Sequence, residues 1–500
     1  MELTLESMAL LSGVIVYLAI IILIGYFAYK RGVKTAIEYF IAGRGFGTVV
    51  LTISTMAAVY SGWFFLGGPG MGYRFGLTVM TSVPGYCILA FFIVKYIWSK
   101  HRLASEKFGY ITASDIVGSF FKSDLARILT AAVAVAYCLP YVVTQLHSVG
   151  IIISGLSGGQ LPYELGFYIL TAGLLIYVLL GGLRGVVWTS VMQGILLLSF
   201  VFVSFGLIVY LLGGYTAALS TMPETHMVIP GPVPLWEWQY GLSLGIVTIF
   251  GIFSSPVYVL FANSIRGGRK DVERTINFIS FGFWASIMTA IYISMWVVVW
   301  FGIKAIVGEI PSPDWALPTL MLKYTPVWVL AIFAGAVIAA CQSTADATLH
   351  TAGVAVGRDI AGVIKRGLSE RWQIIITRLT VTAIILLTLF VLVKYLFGMI
   401  VYLGAFATAY GLQMLPAWLG IYYAPPRLFT KWGVVAGIIA GLVVTTFTYP
   451  LAPGWPLSYP FKLHCGMWGI FANFVTCLIV SRFTRPVDEK WVKEFREAIS

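Results

Sequence analysis

The chain has 500 residues, of which 59% are hydrophobic and only 10% are charged, and its mean hydropathy is +0.91. This composition excludes a soluble globular domain. The net charge of +12 does not indicate nucleic-acid binding, because the basic residues lie in short loops between apolar runs. The five cysteines are scattered and have no metal-ligand spacing. We therefore predict an all-α polytopic membrane protein with a single transmembrane domain over residues 1–500.

Apolar runs recur along nearly the whole chain, and each is long enough to cross a bilayer as a helix. About thirteen such spans are predicted, at residues 8–28, 48–72, 78–98, 126–155, 163–182, 187–213, 238–262, 276–305, 326–356, 373–397, 400–423, 433–450 and 464–482.

The first run has acidic residues before it and basic residues after it, which is the reverse of a signal peptide. We therefore expect a retained helix whose N-terminus lies outside the cell. Most of the 32 lysines and arginines fall in alternate loops, as the positive-inside rule requires for loops on the cytoplasmic side. The pattern predicts a multi-pass protein of the plasma membrane with a cytoplasmic tail at residues 483–500.

Two of the predicted spans are interrupted by helix-breaking residues. Ser61-Gly62 lies in the middle of the second span, and Ser254-Ser255-Pro256 lies in the seventh. Glycine and proline are common in membrane helices, so chance is one explanation. The breaks nevertheless occupy corresponding positions in two halves, residues 45–213 and 235–423. This favours an inverted repeat of five plus five helices, preceded by an extra N-terminal helix and followed by two helices over 433–482.

Residues 331–360 form a span that is unusually polar for the middle of a membrane. Ala340, Ser343 and Thr344 have i, i+3, i+4 spacing and share one helix face, which offers a carbonyl and two hydroxyl oxygens to a small cation. Asp346 and His350 lie on an adjoining stripe. The alternative interpretation is that small residues and hydroxyls let two helices pack closely.

Three segments resemble motifs of the sodium:solute symporter family in order and spacing: YSGWFFLGGPGMGYRFG (60–76), GGLRGVVWTSVMQGILLL (181–198) and STADATLHTAGVAVGRDI (343–360). The resemblance implies a leucine-transporter-type fold. It also implies a shared sodium site, with carbonyl oxygens of Ala57 and Tyr60 on the first broken helix. The carbonyl of Ala340 and the hydroxyls of Ser343 and Thr344 would complete that site.

Several positions depart from the family's pattern. Ser190 stands where the family often has an aspartate, and Val59 stands where a proline permease has one. These departures predict a single coupled ion. Thr248 and Ile252 replace the aromatic residues that hold proline, so proline is not the expected substrate.

The fourth span resembles a segment of the family's monocarboxylate permeases and places Gln145 and His147 near mid-bilayer. Either side chain is a candidate ligand for a substrate carboxylate, and the histidine is also a candidate proton carrier. The alternative is a neutral histidine bonded to a backbone carbonyl. The predicted substrate-binding residues are Ser61, Trp63, Gln145, His147, Ser255, Pro256 and Gln413.

The resemblance implies a sodium-coupled secondary active symporter that imports a small organic solute, with a carboxylate as the first hypothesis. The alternatives are a proton-coupled symporter and a solute sensor acting with a separate signalling protein. No HExxH or Walker-type motif indicates an enzyme. We expect Na⁺ as the coupling ion and the lipid bilayer as the environment of the protein. We do not expect an organic cofactor, nucleic acid or an obligate protein partner. The sequence does not specify the solute.

Overall fold

The computed structural model describes residues 3–30, 35–233, 235, 237–291, 295, 297–395, 398–450 and 454–500. Within these residues the regular secondary structure is entirely helical, apart from one isolated bridge between Phe46 and Ile265. The α-helices are α1 (Leu5–Lys30), α2 (Ala36–Ile41), α3 (Thr48–Val59), α4 (Gly68–Phe75), α5 (Val83–Cys87), α6 (Ala90–Ile93), α7 (Ser99–Phe108), α8 (Ala113–Phe120), α9 (Asp124–Leu156), α10 (Tyr163–Leu211), α11 (Tyr215–Ser220), α12 (Trp238–Ser254), α13 (Pro256–Asn263), α14 (Arg269–Asn277), α15 (Thr289–Ile291), α16 (Val297–Val307), α17 (Ala316–Tyr324), α18 (Val327–Val354), α19 (Ala361–Ile364), α20 (Glu370–Leu387), α21 (Val393–Tyr395), α22 (Ile400–Leu412), α23 (Leu415–Tyr422), α24 (Lys431–Phe447), α25 (Cys465–Arg482) and α26 (Glu489–Ala498).

The structure confirms an all-helical chain with many membrane-spanning segments. Among the described residues, eight helices are long and apolar enough to span a membrane, and α12 with α13 forms a further pair bent by 49°. Four shorter apolar helices accompany them, at Thr48–Val59, Tyr163–Leu175, Val298–Val307 and Lys431–Phe447. The exact count of thirteen spans stays a prediction.

Two predicted spans, 163–182 and 187–213, are joined in the single element α10. The chain changes direction inside it at Gly182, where φ is 54° and ψ is −158°. A side chain is strained at such a φ, whereas glycine adopts it readily. An added Cβ at this position would also lie 2.6 Å from the carbonyl oxygen of Tyr39 in α2, so the turn is both bent and tightly packed.

The first broken helix is interrupted where α3 ends. Tyr60 is extended, with φ −87° and ψ 95°, and helical structure resumes as a π-type turn at Trp63–Gly67 before α4. The backbone N–H of Gly62 donates to Oε1 of Gln145 at 3.2 Å, and that of Trp63 donates to Oγ of Ser61 at 3.1 Å. These side chains satisfy donors that the break exposes, as a break inside a membrane requires.

The second broken helix is interrupted at Ser255, which is extended with φ −66° and ψ 153°. Here the freed groups are carbonyls, and tryptophan indoles satisfy them. Nε1 of Trp418 donates to the carbonyl of Ser254 at 2.8 Å, and Nε1 of Trp98 donates to that of Phe253 at 3.0 Å. Both interruptions therefore lie at the polar positions seen in the sequence, and each is stabilised from a neighbouring helix.

Helix α18 is buried along most of its length and packs against α1, α9, α10 and α3. Its contact with α1 is close, because a Cβ at Gly13 would overlap the backbone of Ala331. A buried polar chain also joins these helices: Nε2 of Gln193 donates to the Tyr17 hydroxyl at 2.9 Å, which donates to Oε1 of Gln342 at 2.5 Å. Helix α1, the additional N-terminal helix, therefore contacts the centre of the bundle through both backbone packing and hydrogen bonds.

Candidate functional site

A cluster of buried oxygens joins α18 to the end of α3. The Ser343 hydroxyl donates to the carbonyl of Ala57 at 2.7 Å and also lies 2.9 Å from that of Ala340. The Thr344 hydroxyl lies 3.0 Å from the carbonyl of Ala58 and 3.4 Å from that of Ala340. All five residues are at most 1% exposed. We call this group the oxygen cluster.

The local backbone explains why these oxygens meet. A helix end leaves its last carbonyls without intrahelical partners, and α3 ends at Val59. The carbonyls of Ala57 and Ala58 are therefore available to another helix. On α18, i, i+3, i+4 spacing directs Ser343 and Thr344 toward them from one face.

The oxygen cluster has the chemistry of a site for a small monovalent cation. The atoms that could coordinate an ion are carbonyl and hydroxyl oxygens, and none of the residues in the cluster carries a formal charge. A hydroxyl that now donates to a carbonyl can turn its proton away and offer a lone pair to an ion. The set thus fits Na⁺, which in broken-helix transporters is coordinated by unwound backbone carbonyls.

Of the five residues predicted to bind sodium, the structure brings four into direct contact: Ala57, Ala340, Ser343 and Thr344. The fifth, Tyr60, lies just past the end of α3, and its ring packs near Trp284 with 5.7 Å between centroids. The cluster also contains the carbonyl of Ala58, which the sequence-based prediction missed.

A central cavity lies beside the first break. Its open volume is only about 10 Å³, which is room for roughly one water molecule. Both broken helices contribute to its wall, and so does α22. The lining residues are Val59, Tyr60, Trp63, Tyr86, Tyr141, Thr248, Ile249, Ile252, Trp284, Gly404 and Thr408.

The cavity wall is aromatic and aliphatic with a few hydroxyl groups, and none of these lining residues is charged. The Thr248 hydroxyl is buried and has no hydrogen-bond partner among the described residues. The indole of Trp63 is held in the cavity wall by a hydrogen bond from its Nε1 to the carbonyl of Val401 at 3.1 Å. The cavity can therefore offer aromatic faces and hydroxyl donors to a small solute.

The seven predicted substrate-binding residues separate into three groups: one residue lines the central cavity, four lie at the two breaks, and two lie elsewhere in the bundle. Trp63 lines the cavity. Ser61 and Gln145 support the first break, and Ser255 and Pro256 form the second one. None of these last four lines the cavity in this conformation.

The other two predicted residues, His147 and Gln413, lie outside the cavity lining. Nδ1 of His147 is 2.7 Å from the hydroxyl of Tyr163 at the start of α10. Gln413 donates to the hydroxyl of Thr445 at 3.3 Å and accepts from Nδ2 of Asn473 at 3.2 Å, so it joins α22 to α24 and α25. Their contacts indicate helix packing in this conformation.

Six cavity residues were not singled out in the sequence analysis: Tyr86, Tyr141, Ile249, Trp284, Gly404 and Thr408. Each lies in an apolar run, and no motif distinguishes it from a packing residue. Thr248 and Ile252 were singled out only as departures from the proline-binding pattern, and both line the cavity.

The two ionisable residues farther along α18 are fully buried. Nε2 of His350 lies 3.3 Å from the carbonyl of Phe40, and its ring packs beside Tyr39. Asp346 is 0% exposed and, like His350, lies outside the cavity lining. Neither is among the hydrogen-bonding groups of the oxygen cluster.

Comparison with known proteins gives consistent results. The family model described as the sodium:solute symporter family matches residues 39–441. The high-affinity proline transporter PutP of Bacillus subtilis is 26% identical over 464 residues, covering 87% of this chain and 93% of that protein. The sodium/pantothenate symporter of Haemophilus influenzae is 25% identical over 456 residues, covering 87% and 89%.

Two solved structures share the fold. A Na⁺-coupled sialic acid symporter in a substrate-bound outward-open state has a TM-score of 0.76 at 18% identity, covering 96% of this chain and 98% of its own. A nucleobase-cation-symport-1 family transporter in a closed conformation has a TM-score of 0.55 at 14% identity, covering 92% and 98%. The all-helical architecture is therefore that of leucine-transporter-type symporters.

Proposed function

The chain belongs to the sodium:solute symporter family, and on that premise we propose that it couples inward Na⁺ flow to uptake of a small organic carboxylate. Its family and relatives are transporters rather than enzymes. The proposal specifies where the ion binds, where the solute binds and how the two are coupled.

The observation that carries the proposal is the contact between the Ser343 hydroxyl and the Ala57 carbonyl, at 2.7 Å. We assign Na⁺ to the oxygen cluster, with Tyr60 as a further ligand when the break rearranges. In the proposed architecture α3 belongs to the first repeat, residues 45–213, and α18 belongs to the second, residues 235–423. An ion held between them stabilises one relative position of the two repeats over another, which is how occupancy shifts a conformational equilibrium.

The solute site in this proposal is the central cavity, lined by Trp63, Thr248 and their neighbours. A volume of about 10 Å³ does not admit an organic solute, so this conformation is closed around the site. Loading therefore requires the wall formed by the two broken helices and α22 to separate. Alternating access supplies that motion, with the midplane site exposed first to one side and then to the other.

A carboxylate substrate is supported by the relatives. Proline, pantothenate and sialic acid are named for three of them, and all three compounds are carboxylic acids. The cavity lining of this chain has no cationic side chain, so hydroxyl and backbone N–H donors would hold the anion. Thr248 is the first candidate, because its buried hydroxyl has no partner among the described residues.

The orientation proposed here follows the charge asymmetry of the loops. The N-terminus lies outside, and α26 with the rest of residues 483–500 lies on the cytoplasmic side. Ser190 and Val59, which replace carboxylates of other members, support coupling to one Na⁺ per cycle.

The test is uptake by the purified protein in liposomes. A panel of labelled solutes containing monocarboxylates, amino acids and vitamins is supplied with an inward Na⁺ gradient, an inward H⁺ gradient or no gradient. Accumulation of a carboxylate only with the Na⁺ gradient supports the proposal. Equal accumulation with the H⁺ gradient alone would identify a proton-coupled symporter, and ligand binding without flux would favour a sensor.

A further inference from the structure

A groove of about 730 Å³ runs along the outside of the bundle between α1 and the part of α10 that follows Gly182. It is separate from the oxygen cluster and from the central cavity. Its lining is apolar except for one arginine at the end. The lining residues are Ile20, Ile24, Phe27, Arg184, Trp188, Val191, Met192, Ile195 and Leu196.

The spacing of the lining residues gives the groove its direction. On α1 they recur at i, i+4 and i+7, and on α10 they follow one stripe from Arg184 to Leu196, so the groove runs along both helix axes. Twelve residues of helix rise correspond to about 18 Å, close to the roughly 15 Å thickness of one leaflet's hydrocarbon. The groove therefore has the length of a lipid acyl chain rather than that of a whole bilayer.

The charged end of the groove can be placed in the fold. Gly182 packs against Tyr39 of α2, and α2 follows the C-terminal end of α1. Arg184 therefore lies at the Phe27 end, and Lys30 is one turn farther along α1. Trp188 is 43% exposed within the groove, one helical turn from Arg184, and tryptophan is enriched at membrane–water interfaces.

Arg184 has no protein counter-charge in the part of the chain that the structure describes. It is half-buried, and none of the ion pairs or side-chain hydrogen bonds found there involves it or Lys30. A guanidinium at the edge of an apolar groove needs an anion, and its planar donors match a phosphate in a bidentate way.

We propose that this groove is a binding site for one anionic phospholipid, with an acyl chain between α1 and α10 and the phosphate on Arg184. The apolar groove and the unpaired guanidinium together specify the ligand. A free phosphate would leave the groove empty, and an uncharged hydrocarbon would leave Arg184 without a counter-charge. The lipid would seal the seam between the additional N-terminal helix and the repeat that contains α10.

Native mass spectrometry of the detergent-purified protein tests this proposal, with phosphatidylglycerol and phosphatidylcholine supplied in equal amounts. We expect one phosphatidylglycerol to be retained in preference to phosphatidylcholine. Arg184→Gln should lower that retention about fivefold, which corresponds to one basic residue at a membrane surface. Arg184→Lys should keep most of it, because the charge remains.

Arg371→Gln is the matched control, since Arg371 is exposed and lies outside the groove. Size-exclusion chromatography shows whether each variant is folded. Equal retention of the two lipids by the unmodified protein would overturn the proposal. So would undiminished phosphatidylglycerol binding by folded Arg184→Gln, or a groove covered by a second copy of the chain.

Discussion

The Ser343 hydroxyl donates a hydrogen bond to the Ala57 carbonyl across 2.7 Å, between residues that are 286 positions apart in the chain. This bond connects a continuous helix, α18, to the interrupted end of α3. The same oxygens suit Na⁺, so in the proposed function the contact has a second form, in which an ion replaces the proton between the oxygens. The proposed coupling rests on the exchange between these forms.

The position of Trp63 depends on Gly404. A Cβ at residue 404 would lie 2.5 Å from Cδ1 of Trp63, which lines the central cavity. Gly404→Ala should therefore displace the indole, and overpacking of this kind costs about 1–3 kcal/mol. We expect the KM for the solute to rise roughly tenfold or more in liposome uptake. Gly206→Ala is the control, because an added Cβ there meets nothing within 4 Å; an equal effect of both changes would contradict the assignment.

Gln145 is expected to support the first break rather than to select the solute. Its Oε1 accepts from the N–H of Gly62, and its Nε2 donates to the carbonyl of Tyr141 at 3.1 Å. Gln145→Leu leaves a buried N–H without a partner, which costs about 1–3 kcal/mol. We predict a lower melting temperature and a lower rate for every transported solute. A changed preference among solutes with unchanged melting would instead show that Gln145 contacts substrate.

Asp314 makes stability depend on pH. It lies in a turn between α16 and α17, outside the spans, where it accepts the N–H of Ile400 at 3.1 Å. Burial raises its pKa to about 7, although that hydrogen bond and the charge of Arg74 act in the opposite direction. A carboxyl with a raised pKa favours folding fully below its ordinary pKa near 4 and loses this contribution as pH rises through 7.

Asp314→Asn removes the titration and keeps an acceptor for Ile400. At pH 8 we expect the free energy of unfolding of the variant to exceed that of the unmodified protein by on the order of a few kcal/mol, so that the variant melts at a higher temperature. Near pH 4 the two proteins should have the same stability. Thermal melting in detergent at several pH values measures this difference. A difference that is constant with pH would contradict the assigned pKa.

Asp115 should be essential to stability in a way that exposed carboxylates are not. It lies in α8, 2.9 Å from Arg127 and 2.7 Å from Arg358, and its side chain is 7% exposed. Although burial acts in the opposite direction, the Arg358 guanidinium holds the pKa of Asp115 below its usual range. Asp115→Asn leaves two guanidinium groups without this charge and should cost about 3–5 kcal/mol.

The control for Asp115 is Asp124→Asn. Asp124 pairs with Arg366, but both side chains are at least half exposed, so losing that pair should cost only about 0–1 kcal/mol. Chemical or thermal unfolding of both variants in detergent makes the comparison. Similar losses in the two variants would show that the Asp115 pair is not a stabilising contact.

The sequence predicted the helical architecture well because membrane spans have a strong compositional signal. It also located both breaks, since Ser61-Gly62 and Ser255-Pro256 interrupt otherwise apolar runs. The face formed by Ala340, Ser343 and Thr344 could be predicted because helix periodicity alone places those residues together. Their partner at Ala57 came from resemblance, and Ala58 was missed because its carbonyl direction depends on where α3 ends.

The cavity wall was much harder to predict. Tyr86, Tyr141 and Trp284 lie on separate helices, and periodicity in an apolar helix does not show which face meets the centre of the bundle. His147 and Gln413 were selected because polar side chains inside a membrane often mark a site. Their contacts with Tyr163 and Asn473 show that the same polarity can join helices to one another.

The central claim concerns the hydroxyls of Ser343 and Thr344, and the Na⁺ dependence of solute uptake in liposomes tests it most directly. Replacing both by alanine should abolish stimulation by Na⁺, whereas Thr344→Ser should retain it because the hydroxyl remains. Thr348→Ala is the matched control, since that hydroxyl donates within its own helix, to the carbonyls of Thr344 and Ala345, and is not part of the oxygen cluster. A folded double-alanine variant with the same Na⁺ dependence as the unmodified protein would contradict the account.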